Sequence, residues 1–423
     1  MLTGEYIKND RITEISEAVR LHNIREEKFN TNFISVLWII PCERENATMI
    51  SLLAEALRLG PAGDIKKLDE RLAEMYGAVF ETAVIKKGGR ELLTLNMEVI
   101  KDENAGEKVF KNAASLMREI IGGRIVDKAF RQAKGRLAQI LAEREDTAAD
   151  YAVEKLMDMV YPNDPFSVHS DGYADDLEKI SLKELNDFYD RLKSTGHTDI
   201  FISGSVDEGL ALETAKGFVF RRGEINKLPA DEAKAAGGCA EKTEKRNIGQ
   251  SRIAAAYELA GDNKGKDYCS ALILKEILCG AGSSILYDKI RQDEGLCYYI
   301  GAKLMRFRMI YVIDCGVAPG SEEKTVKLID EGINSFRIDD RLFESAKRTV
   351  LRDIKAGEDR RSGAVNSRIN EMLLGITEEE DMEKTVESVT AADVKKAAAG
   401  LKKKGVFIIA ADRSGGAENG RDA

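Results

Sequence analysis

"ISVLWIIPCERENATMISLLAEALRLG", residues 34–60, reads as a strand, a polar loop and a helix closed by a glycine. The run Ile34–Ile40 is apolar and of strand length, and Met49, Leu52, Leu53, Ala56 and Leu57 fall on one helical face. Asn46 is the expected N-cap. Residues 252–280, "RIAAAYELAGDNKGKDYCSALILKEILCG", give the same order again. Gly60 corresponds to Gly280, and Arg71 in "LDERLAEMYGAVF" to Arg291 in "YDKIRQDEGLCYYI", both at an offset of 220. The strands "LLTLNMEVI" from Leu92 and "MIYVIDCGV" from Met309 lie 217 apart, and each precedes a long helical segment.

The ends of the repeat correspond as well. "SLKELNDFYDRLKSTGHTDIFISGS" from Ser181 and "TAADVKKAAAGLKKKGVFIIAAD" from Thr390 each open with a capping box, Ser181 with Glu184 and Thr390 with Asp393, and each closes on a strand. An internal repeat of this length decides the fold class. The chain is expected to be α+β, with two homologous halves, each a mostly antiparallel sheet with helices packed on one face. The halves are 1–221 and 248–423. The joint, 222–247, is polar, rich in alanine and glycine and without periodicity.

Composition narrows the function. With 43% hydrophobic and 32% charged residues the chain is an ordinary globular protein, and a net charge of -9 argues against nucleic acid as partner, since phosphate neutralisation needs surplus Lys and Arg. The start lacks an apolar core of signal-peptide length, and "ISVLWII" is far short of the ~20 residues that span a bilayer, so no membrane is expected. Cys42, Cys239, Cys269, Cys279, Cys297 and Cys315 form no C-x-x-C pair and read as reduced thiols of a cytoplasmic protein. "CGAGSS" at 279–284 lacks the ending of a phosphate loop and reads as a helix stop. "LKKKG" at 401–405 and "EDRRSGAVNSR" at 358–368 read as solvated helix faces.

The element order, the stretch "YPNDPFSVHSDGYADDLEKISLKELNDFY" and the turn "RQDEGLCY" resemble the pitrilysin-type zinc peptidases, which include the mitochondrial processing peptidase, over nearly the whole chain. "TNFISVLWIIPCERENATMISLLAEALRLG" is similar to a bacterial subfamily of non-zinc members associated with modification of elongation factor P. The resemblance implies a processing-peptidase-like metallohydrolase fold. In active members a His-x-x-Glu-His helix grips zinc, and a later glutamate is the third ligand. Aligned on Gly60, the motif positions fall on Ser51, Ala54 and Glu55, and the third ligand falls near Gln132–Ala133, in a stretch with no glutamate from Ile125 to Ile140. The chain's three histidines, His22, His169 and His197, include no pair four apart, so no metal or other cofactor is expected. Glu55 reads as a solvated or salt-bridged helix residue.

The second half of cleaving members carries an arginine and a tyrosine that contact the substrate backbone and help stabilise the oxyanion. Arg291 and Tyr298 match them. On spacing alone, Arg291 could instead satisfy helix-terminal carbonyls. The resemblance implies a non-catalytic subunit of a heterodimeric zinc peptidase, whose homologous partner brings the zinc and shares a chamber holding the peptide substrate. The alternative is an inactive scaffold or peptide-binding protein. An independent peptidase with other chemistry finds no support, because the histidines are unpaired. The chain alone is not expected to be an enzyme.

Overall fold

The Ile34–Ile40 run becomes the middle of a long strand, Thr31–Pro41, in which every residue from Asn32 to Ile40 is buried. Burial on both faces requires cover on both faces of the sheet. The computed structural model describes residues 5–7, 10–228, 231, 238–280, 284–335, 337–376 and 381–412. Residues 229–230 and 232–237 of the expected linker, and 281–283 of the glycine turn, lie outside the described residues.

The first sheet contains β1 (Glu5–Ile7), β2 (Asp10–Ser16), β3 (Val19–Arg25), β4 (Thr31–Pro41), β5 (Val79–Lys87), β6 (Arg90–Ile100) and β7 (His197–Gly204) in the order β1-β2-β3-β7-β4-β6-β5. The second contains β8 (Ala240–Arg246), β9 (Ser251–Glu258), β10 (Cys297–Met305), β11 (Ile310–Val317) and β12 (Lys402–Ala411) in the order β10-β11-β9-β12-β8. Read from β3, the first sheet runs β3-β7-β4-β6-β5. Read from β8, the second runs β8-β12-β9-β11-β10. In each, the first pair is parallel and the remaining pairs are antiparallel. This is the α+β architecture with two corresponding halves that the repeat predicts.

Alternation along the strands sends one set of side chains to the main helical layer. In the first sheet Ile34, Val36, Trp38 and Ile40 join Ile50, Leu53 and Leu57 of the helix Arg44–Leu57, and Tyr189 of the helix Leu182–Thr195. Trp38 meets the Tyr189 ring edge-on at 6.3 Å. In the second, Ile253, Ala255 and Tyr257 face Ile273, Leu274 and Ile277 of the helix Gly265–Cys279. Among the described residues a further helix covers the other face of each sheet, where helices on one face were expected. Val365 and Ile369 of the helix Arg361–Leu373 cover Leu37, Ile39, Leu92 and Phe201 of the first sheet. Ala152, Leu156, Met157 and Val160 of the helix Ala148–Val160 cover Ala254, Ala256, Val312 and Phe407 of the second.

Packing therefore divides the chain differently from the repeat. One compact unit comprises Met1–Glu143, Val168–Glu232 and Arg361–Glu379, and the other Arg144–Ser167, Ala233–Arg360 and Glu380–Ala423. Among the described residues no helix is long and apolar enough to cross a membrane.

Candidate functional site

The helix that carries the motif positions starts earlier than its sequence suggests. It begins at Arg44, with Glu43 as N-cap, and the Asn46 amide donates to the Glu43 carboxylate at 3.1 Å. Cys42 N–H donates to Gly89 C=O at 2.9 Å, tying the end of β4 to the β5–β6 turn, so the helix starts immediately beyond that anchor.

Ser51, Ala54 and Glu55 follow on this helix, and each is already engaged. Ser51 Oγ donates to the Ser170 carbonyl at 2.9 Å, and the Ala54 carbonyl accepts from Thr82 Oγ1 at 2.9 Å. Glu55 is salt-bridged, taking Arg58 at 3.2 Å and Arg136 at 2.8 Å. Arg136 lies one turn beyond Gln132 and Ala133 on the helix Asp127–Asp146; Ala133 is buried and Gln132 exposed. The segment 168–173 lies against the same helix. Tyr173 N–H donates to Thr48 Oγ1 at 2.9 Å, and a Cβ on Gly172, whose φ is +82°, would come within 2.4 Å of Thr48 Cα. A hydroxyl, a methyl and a carboxylate held by two guanidiniums do not fit zinc, which takes imidazole, thiolate or free carboxylate donors. Among the described residues no group of three His, Cys, Asp or Glu is placed to hold a metal.

The histidines have other roles. His22 is buried, 2.8 Å from Asp199 and stacked on Phe201 at 4.2 Å. Burial raises the Asp199 carboxyl's pKa, but His22 and Arg20 outweigh it and hold the carboxyl below its usual range. His169 stacks on Tyr173 at 4.8 Å. His197 opens β7, and its Nε2 lies 2.8 Å from the Asn226 carbonyl.

The second candidate region is built differently. After Ile285–Tyr287 the chain widens into a π-helical turn, Asp288–Asp293, which contains Arg291. Such turns are rare and concentrate at functional sites. Gly295, at φ +62°, reverses the chain, and Leu296 N–H donates back to Ile290 C=O at 3.0 Å. Strand β10 then pairs with β11 through Cys297–Val317 and Tyr299–Gly316, leaving Tyr298 as the extra residue of a β-bulge. A bulge re-aims a side chain. Tyr298 is accordingly 77% exposed.

The turn and bulge bring Arg291 and Tyr298 together. The guanidinium carbon stands 5.0 Å from the Tyr298 ring centre and 5.0 Å from that of Tyr287. Among the described residues the Arg291 side chain has these two ring contacts and no hydrogen bond or ion pair. Its neighbours are engaged: Lys289 pairs with Glu331, Glu294 with Lys324, and Asp288 accepts from Gln292. Burial raises the Cys297 thiol's pKa, and Arg291 opposes the shift. Sequence reasoning missed Tyr287, although its spacing one turn before Arg291 was a readable signal. Beside Tyr298 the surface sinks into a recess of about 440 Å³ whose lining has no charged side chain.

A family model described as "Peptidase M16 inactive domain" matches residues 179–350. The chain is 22% identical over 331 residues to a "Probable inactive metalloprotease YmfF" of Bacillus subtilis, covering 75% of this chain and 77% of that one. A crystal structure of a conserved protein from Enterococcus faecalis superposes with a TM-score of 0.86 at 22% identity, covering 96% of this chain and 99% of that one. A peptidase M16 inactive domain from Pseudomonas fluorescens superposes with a TM-score of 0.78 at 16% identity, covering 96% and 98%.

Proposed function

We propose that this chain, a pitrilysin-like peptidase M16 protein of the inactive type, is the non-catalytic subunit of a two-subunit zinc peptidase. A homologous partner would bring the metal, which polarises the scissile carbonyl and activates water. This chain's part is to hold the peptide backbone through Arg291 and Tyr298. The observation that carries the reading is the state of Arg291. A π-helical turn and a bulge hold its guanidinium beside two tyrosine rings, with its donors unengaged among the described residues. A hydrolytic transition state develops charge on one oxygen, and donors fixed in advance stabilise it without reorganising. Arginine offers a rigid fork of donors, and tyrosine one directed hydroxyl. The runner-up is a scaffold or peptide-binding protein with no proteolytic role; it is supported by the names of the inactive relatives and needs the same exposed pair only for binding.

The test is reconstitution with a zinc-bearing homologous subunit. In an active pair, Arg291→Ala or Tyr298→Phe should lower peptide turnover on the order of a hundredfold, with zinc content and assembly unchanged. Unchanged turnover in those variants would return the function to the scaffold reading.

A further inference from the structure

We infer that the recess beside Tyr298 is a side-chain pocket that selects an apolar residue in the polypeptide held by Arg291 and Tyr298; the inference rests on the function proposed above. The wall is the exposed Tyr298 ring, turned outward by the bulge. Leu296 and Cys297 line it from the entry to β10, and Ala318 and Pro319 from the turn after β11. Gln250 supplies the polar group, its amide oxygen lying over Gly316, where a Cβ would approach it to 2.6 Å.

Three features choose the ligand class. The volume, about 440 Å³, is near the lower end of the range for ligand pockets and is enough for one large side chain. The lining lacks the convergent polar groups that would orient a free small molecule. Two guanidiniums stand near the recess, Arg291 beside Tyr298 and Arg252 beside Gln250 over Gly316; both repel a guest lysine, and a guest carboxylate drawn to them would compete with the backbone oxygen Arg291 is proposed to hold. An extended peptide with a leucine or phenylalanine at the guest position meets all three conditions.

The experiment uses the whole purified chain and fluorescein-labelled, end-capped peptides that differ at one central residue: Leu, Phe, Gly, Lys or Asp. Fluorescence polarisation should show the Leu and Phe guests binding about tenfold or more tighter than Lys or Asp. Ala318→Lys, on an exposed turn, should abolish that preference and favour the Asp guest, with the melting temperature unchanged. Arg291→Ala should weaken the Leu, Phe and Gly guests alike, and the Lys guest less, because it also removes the charge that repels lysine. Equal affinity for all guests, or a preference that survives Ala318→Lys, overturns the pocket. If guest preference holds but Arg291→Ala and Tyr298→Phe change nothing, the backbone-holding role fails and the pocket stands. Absence of binding to any peptide overturns both.

Discussion

Glu91 lies at the start of β6 with none of its surface exposed, and burial pushes its carboxyl up to about 7 against the opposing pull of Lys86 and Cys42. The sign of the consequence follows from proton counting. Between the ordinary carboxyl value of 4.5 and about 7 the native state keeps a proton that the unfolded chain has lost. Stability therefore falls as pH rises through that window, by on the order of 3 kcal/mol when it is complete. Glu91→Gln should flatten the melting-temperature profile between pH 5 and 7 and make the variant the more stable protein at pH 8. An unaltered slope in the variant would assign the pH dependence elsewhere. Sequence gives no warning of this residue, since it follows the turn Gly88–Gly89 by two positions, where a charged side chain is commonly solvated. Arg291 and Tyr298 were singled out through the family resemblance, and the structure brings their side chains together across one local turn. Glu55 lies between. Its salt-bridged state was readable, but Arg136, 81 positions on, required the fold.

Elements defined by local hydrogen bonds were the most legible. Both capping boxes form, Ser181 with Glu184 and Thr390 with Asp393, because each closes within one turn. The N-cap of the first motif helix was expected at Asn46 and lies at Glu43, because its position depends on a distant backbone bond, Cys42 to Gly89. The π-helical turn and the bulge at Tyr298 were illegible for a related reason: the bulge exists only in the register of β10 against β11. The second capping box supports a prediction at this scale. Lys266 and then Thr390 hold the Asp393 carboxyl at about 2, so its favourable contribution is present above its ordinary value of 3.8 and is lost as pH falls toward 2. Thr390→Ala should destabilise the protein by about 1 kcal/mol at neutral pH, read as a lower midpoint in urea. The difference should shrink at pH 2. A variant equal to the parent at pH 7 would mean that the helix Ala391–Ala399 is held by packing alone.

For the whole molecule, the repeat and the packing disagree, and the disagreement has consequences. By sequence, the helix Ala148–Val160 belongs to the first half and the helix Arg361–Leu373 to the second, yet each covers the sheet formed by the other half's strands. Residues 358–368 read from sequence as a solvated helix face, yet Val365 and Ile369 are buried against the first sheet, because local sequence does not say which distant strands a helix will cover. A chain opened between residues 232 and 238 would leave each fragment with one helix whose partner sheet is on the other fragment. Fragment 1–232 would expose Leu156, Met157 and Val160 on one helix and Leu37, Ile39 and Phe201 on its sheet; fragment 238–423 would expose Val365 and Ile369, and its own sheet. Each large aliphatic side chain returned to water forfeits roughly 1.5–3 kcal/mol, comparable in sum with the whole stability of a domain. The two fragments expressed together should therefore copurify as one complex on size-exclusion chromatography, while either alone should be aggregated or unfolded. Leu156→Asp in one fragment or Ile369→Asp in the other should break the complex, because each inserts a charge into one exchanged contact. If instead both fragments fold alone and elute separately when mixed, the exchanged helices are not what holds this chain together.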